Sequence, residues 1–483
     1  MLGLAAGLVA LELAVAGRYG YHRDELYFLA CARHLAWGYV DQPPFTPAVA
    51  RLATAMFGSS LVGLRVFPAL AGGAAVVFTG LMARELGGGR RAQALAALAA
   101  ATSTEVLAAM HLLSTTAFDL FFWSAITLLL LRLLRTGEPR WWLAIGAVAG
   151  IGLLNKYNVA FLFVGLAVGL LASGRGRTML GPWPWAGAGL ALAIWSPNLV
   201  WNAQHDWAAF SMMHSLQQEN STLGASISFI PDQLLIMGPV LILMWVGGLR
   251  LLLRHDFARP LGIAYLTLVV LYTLTGAKPY YLAGMYFVLF AAGGLWADQR
   301  LAARGRPSGR MRMVAWIVIG GAVVIPLTLP VLPVTALAKG PWEGQINKDL
   351  SATVGWPMFV RQIADVAATL PPAQRSHLVI FTGDYGAAGA VDLYGPHYGL
   401  PHAISGHNNY WWWGPGDSSD HSTTIAVDLS RSYLKTIFRQ ITSAVSVRTP
   451  GGVWSEERGD PIWICSHQKV SWAEAWPNAR HYG

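Results

Sequence analysis

The residues of this sequence able to do chemistry are a few carboxylates and lysines set in or beside long apolar runs. Asp24 and Glu25 are adjacent, Asp41 precedes Gln42-Pro43-Pro44, and Asp119 sits in STTAFDLFFW among Leu, Phe, Trp and small residues. Lys156 (LLNKYN) and Lys278 (GAKPYY) each lie at the junction of two apolar stretches. Ionisable groups within or beside membrane spans are costly, so they mark sites of recognition or reaction. A carboxylate can take a proton from a hydroxyl there, and a cation can stabilise a departing phosphate.

Each of these groups also has a plainer role. Neighbouring carboxylates on a helix diverge by about 100°. One of Asp24 and Glu25 can therefore act as a base while the other anchors a partner, or both can serve as first-turn charge on a helix over 24–35. The Pro43-Pro44 pair fixes an extended backbone and holds Asp41 and Gln42 in place, as would a simple loop corner before an amphipathic helix at 46–57. Asp119 needs a partner such as His111 or Lys156, or a proton. Lys156 and Lys278 suit a phosphate at the headgroup level, together with Arg23, Arg51 and Arg65; lysines snorkelling to the interface are the alternative.

The elements that must position these groups are membrane helices. Of 483 residues, 54% are hydrophobic and 12% charged, where a soluble domain carries about 25% charged. With about 20 apolar residues needed per crossing, the spans fall at 2–17, 60–83, 92–110, 116–134, 141–155, 157–173, 183–199, 232–253, 260–276, 279–297 and 313–335, about eleven in all. Arg84, Arg90, Arg91, Arg132, Arg135, Arg250, Arg254 and Arg259 crowd one set of alternate loops, which the positive-inside rule makes cytoplasmic. The Tyr21–Arg51 loop and the C-terminal tail then lie outside. Ala14-Val15-Ala16 has the small-residue pattern of a signal-peptidase site, but no basic flank precedes it, and 2–17 is read as a span. The net charge of +9 sits in short loops between apolar runs, which is orientation charge and argues against nucleic-acid binding.

Residues 336–483 are polar, with short apolar runs at Leu378–Phe381, Thr423–Val427, Val445–Val447 and Ile462–Ile464 that read as buried strands. Helical patterns at Trp356–Leu370 and Ser430–Ile441 fall between them. The expected fold is an all-α polytopic membrane protein, residues 1–335, followed by a small extracytoplasmic α/β domain, residues 336–483. Of the 2 cysteines, Cys31 and Cys465, both would lie outside; a bridge between them and two separate thiols both remain open. No sequence motif demands a metal or names a cofactor, and a divalent cation stays open.

This pattern resembles the integral-membrane glycosyltransferases of the GT-C fold, in the branch that holds protein O-mannosyltransferases, the lipid A aminoarabinose transferase and the rhizobial lipopolysaccharide core transferases. The likeness runs over nearly all of residues 15–300. It implies a polyprenyl-phosphate sugar as donor, a glycan, lipid or protein outside the cytoplasm as acceptor, and a multi-pass place in the bacterial inner membrane. It makes Asp24 the catalytic base with Glu25 beside it, and Asp119 the second essential acid. Asp41-Gln42 falls where the aminoarabinose transferases have Glu-Lys before Pro-Pro, and their Lys meets the donor phosphate. Here that residue is Gln42, so phosphate binding must rest on other cations and an aminoarabinose donor is not implied. Lys156 and the Lys278–Tyr281 element, with Tyr280 in it, match further cavity residues; Arg23 and Tyr157 are further candidates for substrate binding, and His205 is a candidate for acceptor contact. A transporter or lipid flippase would use the same Asp/Lys cluster, with polar groups spread to the midplane and broken helices. A scaffold presenting the tail would leave Asp24 and Asp119 freely replaceable.

Overall fold

Backbone groups in hydrocarbon must be satisfied within their own segment, so apolar runs rich in Leu, Ala and Gly fold as helices. The computed structural model describes residues 1–220, 223–303, 307–339, 347–416, 418, 420 and 422–482. The chain divides into two compact units: Met1–Ala16, Gln42–Val49 and Ala53–Leu329 form the first, and Gly17–Asp41, Ala50–Leu52 and Pro330–Gly483 the second.

The first unit is helical. Four helices among the described residues are long and apolar enough to cross a membrane: Leu61–Glu85, Thr115–Thr136, Pro279–Ala303 and Met311–Thr328. The number is six if each of two bent pairs is one span. The eleven spans read from hydropathy therefore overcount. Leu2–Val15, Trp141–Leu153, Asn158–Ala172 and Arg259–Thr275 are apolar but short, and two further runs are broken rather than straight. Arg90–Ala101 and Thr104–His111 meet at 59°, and Ser226–Met237 and Pro239–Arg254 at 90°. Gly238, at φ 108°, makes the second break. The buried Ser103 hydroxyl, at the first break, donates to the Met237 carbonyl at 2.9 Å, so one kink satisfies the backbone freed by the other.

Small residues let these helices approach closely. A Cβ at Gly146 would stand 2.1 Å from the Gly187 carbonyl oxygen, which fixes Trp141–Leu153 against Pro182–Gln204. One charged cluster is buried within the same unit: Glu12, Arg65 and His111 are each at most 2% exposed. His111 Nδ1 lies 3.2 Å from Glu12 Oε2, its Nε2 lies 3.1 Å from Arg65, and Arg65 donates to the Ala16 carbonyl at 2.8 Å. His111 is thus spent on Glu12 and Arg65 instead of Asp119, and Arg65 is not an outward cation.

The second unit carries a five-stranded sheet in the order β2-β1-β3-β5-β4, with β1 Val379–Thr382, β2 Ala403–Ser405, β3 Thr424–Val427, β4 Phe438–Ser446 and β5 Pro461–Gln468. β1 pairs parallel with β2 and β3, while β5 is antiparallel to both β3 and β4. Of the expected helices, Trp356–Ala368 forms, but the second ends at Ile437, where β4 begins. β2, with three residues, gave no sequence signal. Cys31 and Cys465 are both buried and form no disulfide.

Helix Arg23–Arg33 of the first loop packs within this unit on helix Tyr385–Tyr394. A Cβ at Gly389 would come 2.9 Å from Leu26 backbone, and one at Gly386 would come 2.7 Å from the Arg23 Cβ. The GDYGAAG sequence is therefore a contact surface for the loop.

Overpacking a tight contact costs about 1–3 kcal/mol. Gly146→Val is expected to lower the thermal unfolding midpoint of the detergent-solubilised protein. Gly189→Val, where no atom lies within 4 Å of a new Cβ, leaves it in place.

Candidate active site

The expected site residues fall into both units. In the second, His22 caps helix Arg23–Arg33: its ring accepts from the Asp24 N–H at 3.2 Å, and Glu25 Oε2 accepts from the His22 N–H at 2.9 Å. This capping box occupies Glu25, which is fully buried. Asp24 points elsewhere, as its place on the helix requires. Its Oδ1 accepts from the Tyr385 hydroxyl at 2.8 Å, its side chain stays 39% exposed, and Arg23 Nε is 3.8 Å away. Arg23 also pairs with Glu456 and lies over the Tyr385 ring. Burial, then the charge of Asp24, push the Tyr385 phenol well above its ordinary range, so it stays a donor. Asp384 caps helix Tyr385–Tyr394 by accepting from Gly386 N–H at 2.6 Å. Burial would raise its carboxyl, but the His407 hydrogen bond and Arg23 outweigh burial and hold it below the usual range.

Asp41 closes the same loop. Its Oδ1 accepts from the Tyr27 hydroxyl at 2.9 Å, and the Val40 N–H donates to Asn409 Oδ1 at 2.7 Å. The run Tyr410-Trp411-Trp412-Trp413 is an internal strut. Trp411 and Trp476 exchange indole-to-carbonyl bonds of 2.9 Å, and Arg480 lies over Trp411 at 4.7 Å.

The first unit gathers Asp119, Lys156, Tyr280 and Tyr281. Asp119, 4% exposed on helix Thr115–Thr136, accepts at Oδ2 from Asn158 Nδ2 at 2.8 Å. Asn158 in turn accepts from the Tyr272 hydroxyl at 2.6 Å. Asp119 Oδ1 and the Trp123 indole nitrogen, one helical turn apart, are both buried, and the indole acts on the Asp119 carboxyl as a donor. Lys156 sits in the turn before helix Asn158–Ala172. Its ammonium donates to Thr116 Oγ1 at 3.1 Å and lies 4.9 and 4.8 Å from the Tyr280 and Tyr281 ring centres. Burial pushes that ammonium down to about 8, opposed by Asp119 and reinforced by Lys278. Lys278 opens the turn Pro279–Met285 that carries both tyrosines.

Gln42 belongs to this unit and is 2% exposed, and both atoms of its amide are buried without a hydrogen-bond partner. The segment after it is anchored by Thr46 donating to Asn155 Oδ1 at 2.8 Å and by Phe45 N–H donating to the Leu154 carbonyl at 2.9 Å. Tyr157 and His205 belong to a side branch: the Tyr157 hydroxyl donates to Asn198 at 2.9 Å, and His205 stacks on Trp201 at 4.0 Å. The hydrogen-bond partners of the candidate acids that sequence reasoning missed are Asn158 on Asp119, with Tyr272 behind it, and Tyr385 on Asp24. Asn158 could have been found as an amide opening an apolar helix; nothing in the sequence linked Tyr385 to Asp24. Among the described residues no group of three or more His, Cys, Asp and Glu could hold a metal ion.

A family model described as dolichyl-phosphate-mannose-protein mannosyltransferase matches residues 41–201. The crystal structure of ArnT from Cupriavidus metallidurans bound to undecaprenyl phosphate superposes with a TM-score of 0.61 at 15% identity over 96% of each chain. This chain shares its fold with ArnT. The apo form of ArnT gives a TM-score of 0.59 over the same share. The mycobacterial arabinofuranosyltransferase AftD gives 0.51 at 15% identity, over 97% of this chain and 40% of its own. No curated protein matches. At its level of identity, the likeness to ArnT concerns the fold.

The two acids of the pair are expected to separate on substitution. Glu25→Ala removes half of the capping box and lowers stability by about 1 kcal/mol, whereas Glu25→Gln keeps the bond. Asp24→Asn leaves the unfolding midpoint within a degree or so of wild type, because about 0.5 kcal/mol is the usual effect of an uncrowded, part-exposed change. Thermal unfolding of the three variants checks this.

Proposed function

We propose that the protein is a membrane glycosyltransferase that moves a sugar from a polyprenyl-phosphate donor to an acceptor outside the cytoplasm, with inversion at the anomeric carbon. The observation that carries this reading is Lys156. Its ammonium is held by a hydroxyl and two aromatic rings, with the Asp119 carboxyl acting on it, in a chain with the fold of ArnT. A cation so placed suits a phosphate, which Lys binds as a point charge. Lys156 and Lys278 are assigned to the donor phosphate, and Tyr280 or Tyr281 supplies a hydroxyl to phosphate or sugar. Gln42, with both amide atoms unpartnered, is assigned to the donor sugar. Tyr157 and His205 are assigned to the acceptor.

In the proposed step Asp24 takes the proton of the acceptor hydroxyl while that oxygen bonds to the anomeric carbon. The bond from that carbon to the phosphate oxygen breaks, and polyprenyl phosphate leaves with the electron pair, its charge met by the lysines. Asp119 orients the acceptor or supports the base. Tyr385 holds the Asp24 carboxylate in position through a charge-assisted bond. General-base catalysis contributes about 10²–10⁴ in rate, so Asp24→Asn should cut transfer by that factor at unchanged donor KM. Lys156→Met should raise donor KM.

The test is to identify the radiolabelled product formed when purified protein is given a panel of polyprenyl-phosphate sugars. Wild-type transfer by Asp24→Asn would overturn the assignment of the base. The broken helices also fit a transporter; donor moved across proteoliposomes with no product from any donor would favour that second reading. Lys156 keeps its proton below about 8. Donor affinity should therefore hold through neutral pH and fall as the pH rises through that value. A donor KM that stayed flat between about pH 7 and about pH 10 would remove Lys156 from the phosphate.

A further inference from the structure

The sheet of the second unit has a topological switch point. From β1 the chain crosses to β2 on one side and then returns to β3 on the other, so the carboxyl ends of β1 and β3 diverge. Ligands of open α/β sheets bind in the crevice at such a point. Here the crevice is a cavity of about 470 Å³, within the size range of ligand pockets. Its walls come from the residues that follow each parallel strand: Gly383-Asp384 after β1, Gly406-His407 after β2 and Asp428 after β3. None of its lining residues is among those expected from the sequence to form the transferase site.

Four carboxyl groups line this cavity, Asp384, Asp428, Glu456 and Glu457, and so do His407, His481 and Arg480. Antiparallel β5 brings Glu456 and Glu457, which precede it, to the same edge. Arg23 pairs with Glu456, and His407 lies 3.3 Å from Asp384. Every neighbour that acts on Asp428 is acidic: Asp384, Asp460 and Glu457. Arg480 also lines the cavity, but its guanidinium lies over Trp411, Trp412 and Tyr482. The Tyr433 hydroxyl is buried without a hydrogen-bond partner, and the Phe381 ring lies 6.3 Å from its own. Burial first, then the acidic neighbours, push Asp428 up to about 8, and burial pushes Glu457 up to about 7. The geometry of a bare metal site is absent among the described residues. What the cavity offers is several acceptors spread over a ligand-sized space, one free hydroxyl and an aromatic wall.

We propose that this cavity binds a primary ammonium group carried on a small hydroxylated molecule. The three N–H donors of the ammonium match the carboxyl oxygens of Asp428 and Glu457, whose protons the arriving cation displaces to solvent; a hydroxyl of the carrier meets Tyr433, and Phe381 packs against its apolar face. Such a group belongs to an amino sugar or to an ethanolamine headgroup.

Calorimetric titration of the purified full chain in detergent tests this, with no polyprenyl donor present, so the outcome does not depend on transfer activity. Glucosamine and ethanolamine should bind, and the tighter of the two identifies the source of the ammonium. Glucose, which lacks the ammonium, and choline, which lacks its N–H donors, should bind at least ten times more weakly. Asp428→Asn should weaken amine binding roughly ten- to hundredfold, the worth of one charge-assisted hydrogen bond. Tyr433→Phe, a milder change, should weaken glucosamine several-fold, with the unfolding midpoint confirming that both variants are folded. No amine binding, equal binding of choline, or wild-type amine affinity in folded Asp428→Asn would overturn the proposal.

Discussion

The close approach of helix Arg23–Arg33 to helix Tyr385–Tyr394 is the contact on which the second unit's chemistry depends. Side chains at positions 386 and 389 would push the helices apart, and glycine at both lets backbone meet backbone. Once the two helices are in register, several polar pairs follow: Tyr385 reaches Asp24, Arg23 reaches Glu456, and Asn409 reaches Val40. A loop rich in charge has little core of its own. It takes its shape from a segment more than three hundred residues further along the chain.

The first unit solves a different problem, that of keeping polar groups stable among apolar helices. It does so with buried amides. Asn155 joins Thr46 to the Thr115 carbonyl, Asn158 joins Asp119 to Tyr272, and Asn198 with Asn202 holds Tyr157. An amide can donate and accept at once, so it bridges groups without adding charge. The side chains around Lys156 and Asp119 are thereby fixed without further charge beside them.

Much of this was legible in the sequence, and the parts that were not have physical causes. Asp119 and Lys156 stood out because charge in apolar sequence is expensive wherever the chain folds. The strands around Phe381 and Ala426 were legible as apolar runs too short to span. Hydropathy measures how apolar a segment is and says nothing of whether it is straight, so the breaks at Ser103 and Gly238 were counted as continuous spans. Glu25 and Asp24 look alike in sequence; what separates them is the His22 cap, a matter of helix phase. Tyr385 and the cavity at the strand ends depend on which strands pair, and a strand as short as Ala403–Ser405 leaves too few residues for a pattern.

The buried cluster of Glu12, Arg65 and His111 bears on how the first helix is seated. Helix Leu2–Val15 precedes helices Leu61–Glu85 and Thr104–His111 in the chain, and these two carry His111, which meets its glutamate, and Arg65, which meets His111. Without those helices the Glu12 carboxylate would lack its countercharge, and helix Leu2–Val15 would lack the contact that seats it. The cluster therefore makes the packing of helix Leu2–Val15 conditional on the placement of helices that follow it in the chain.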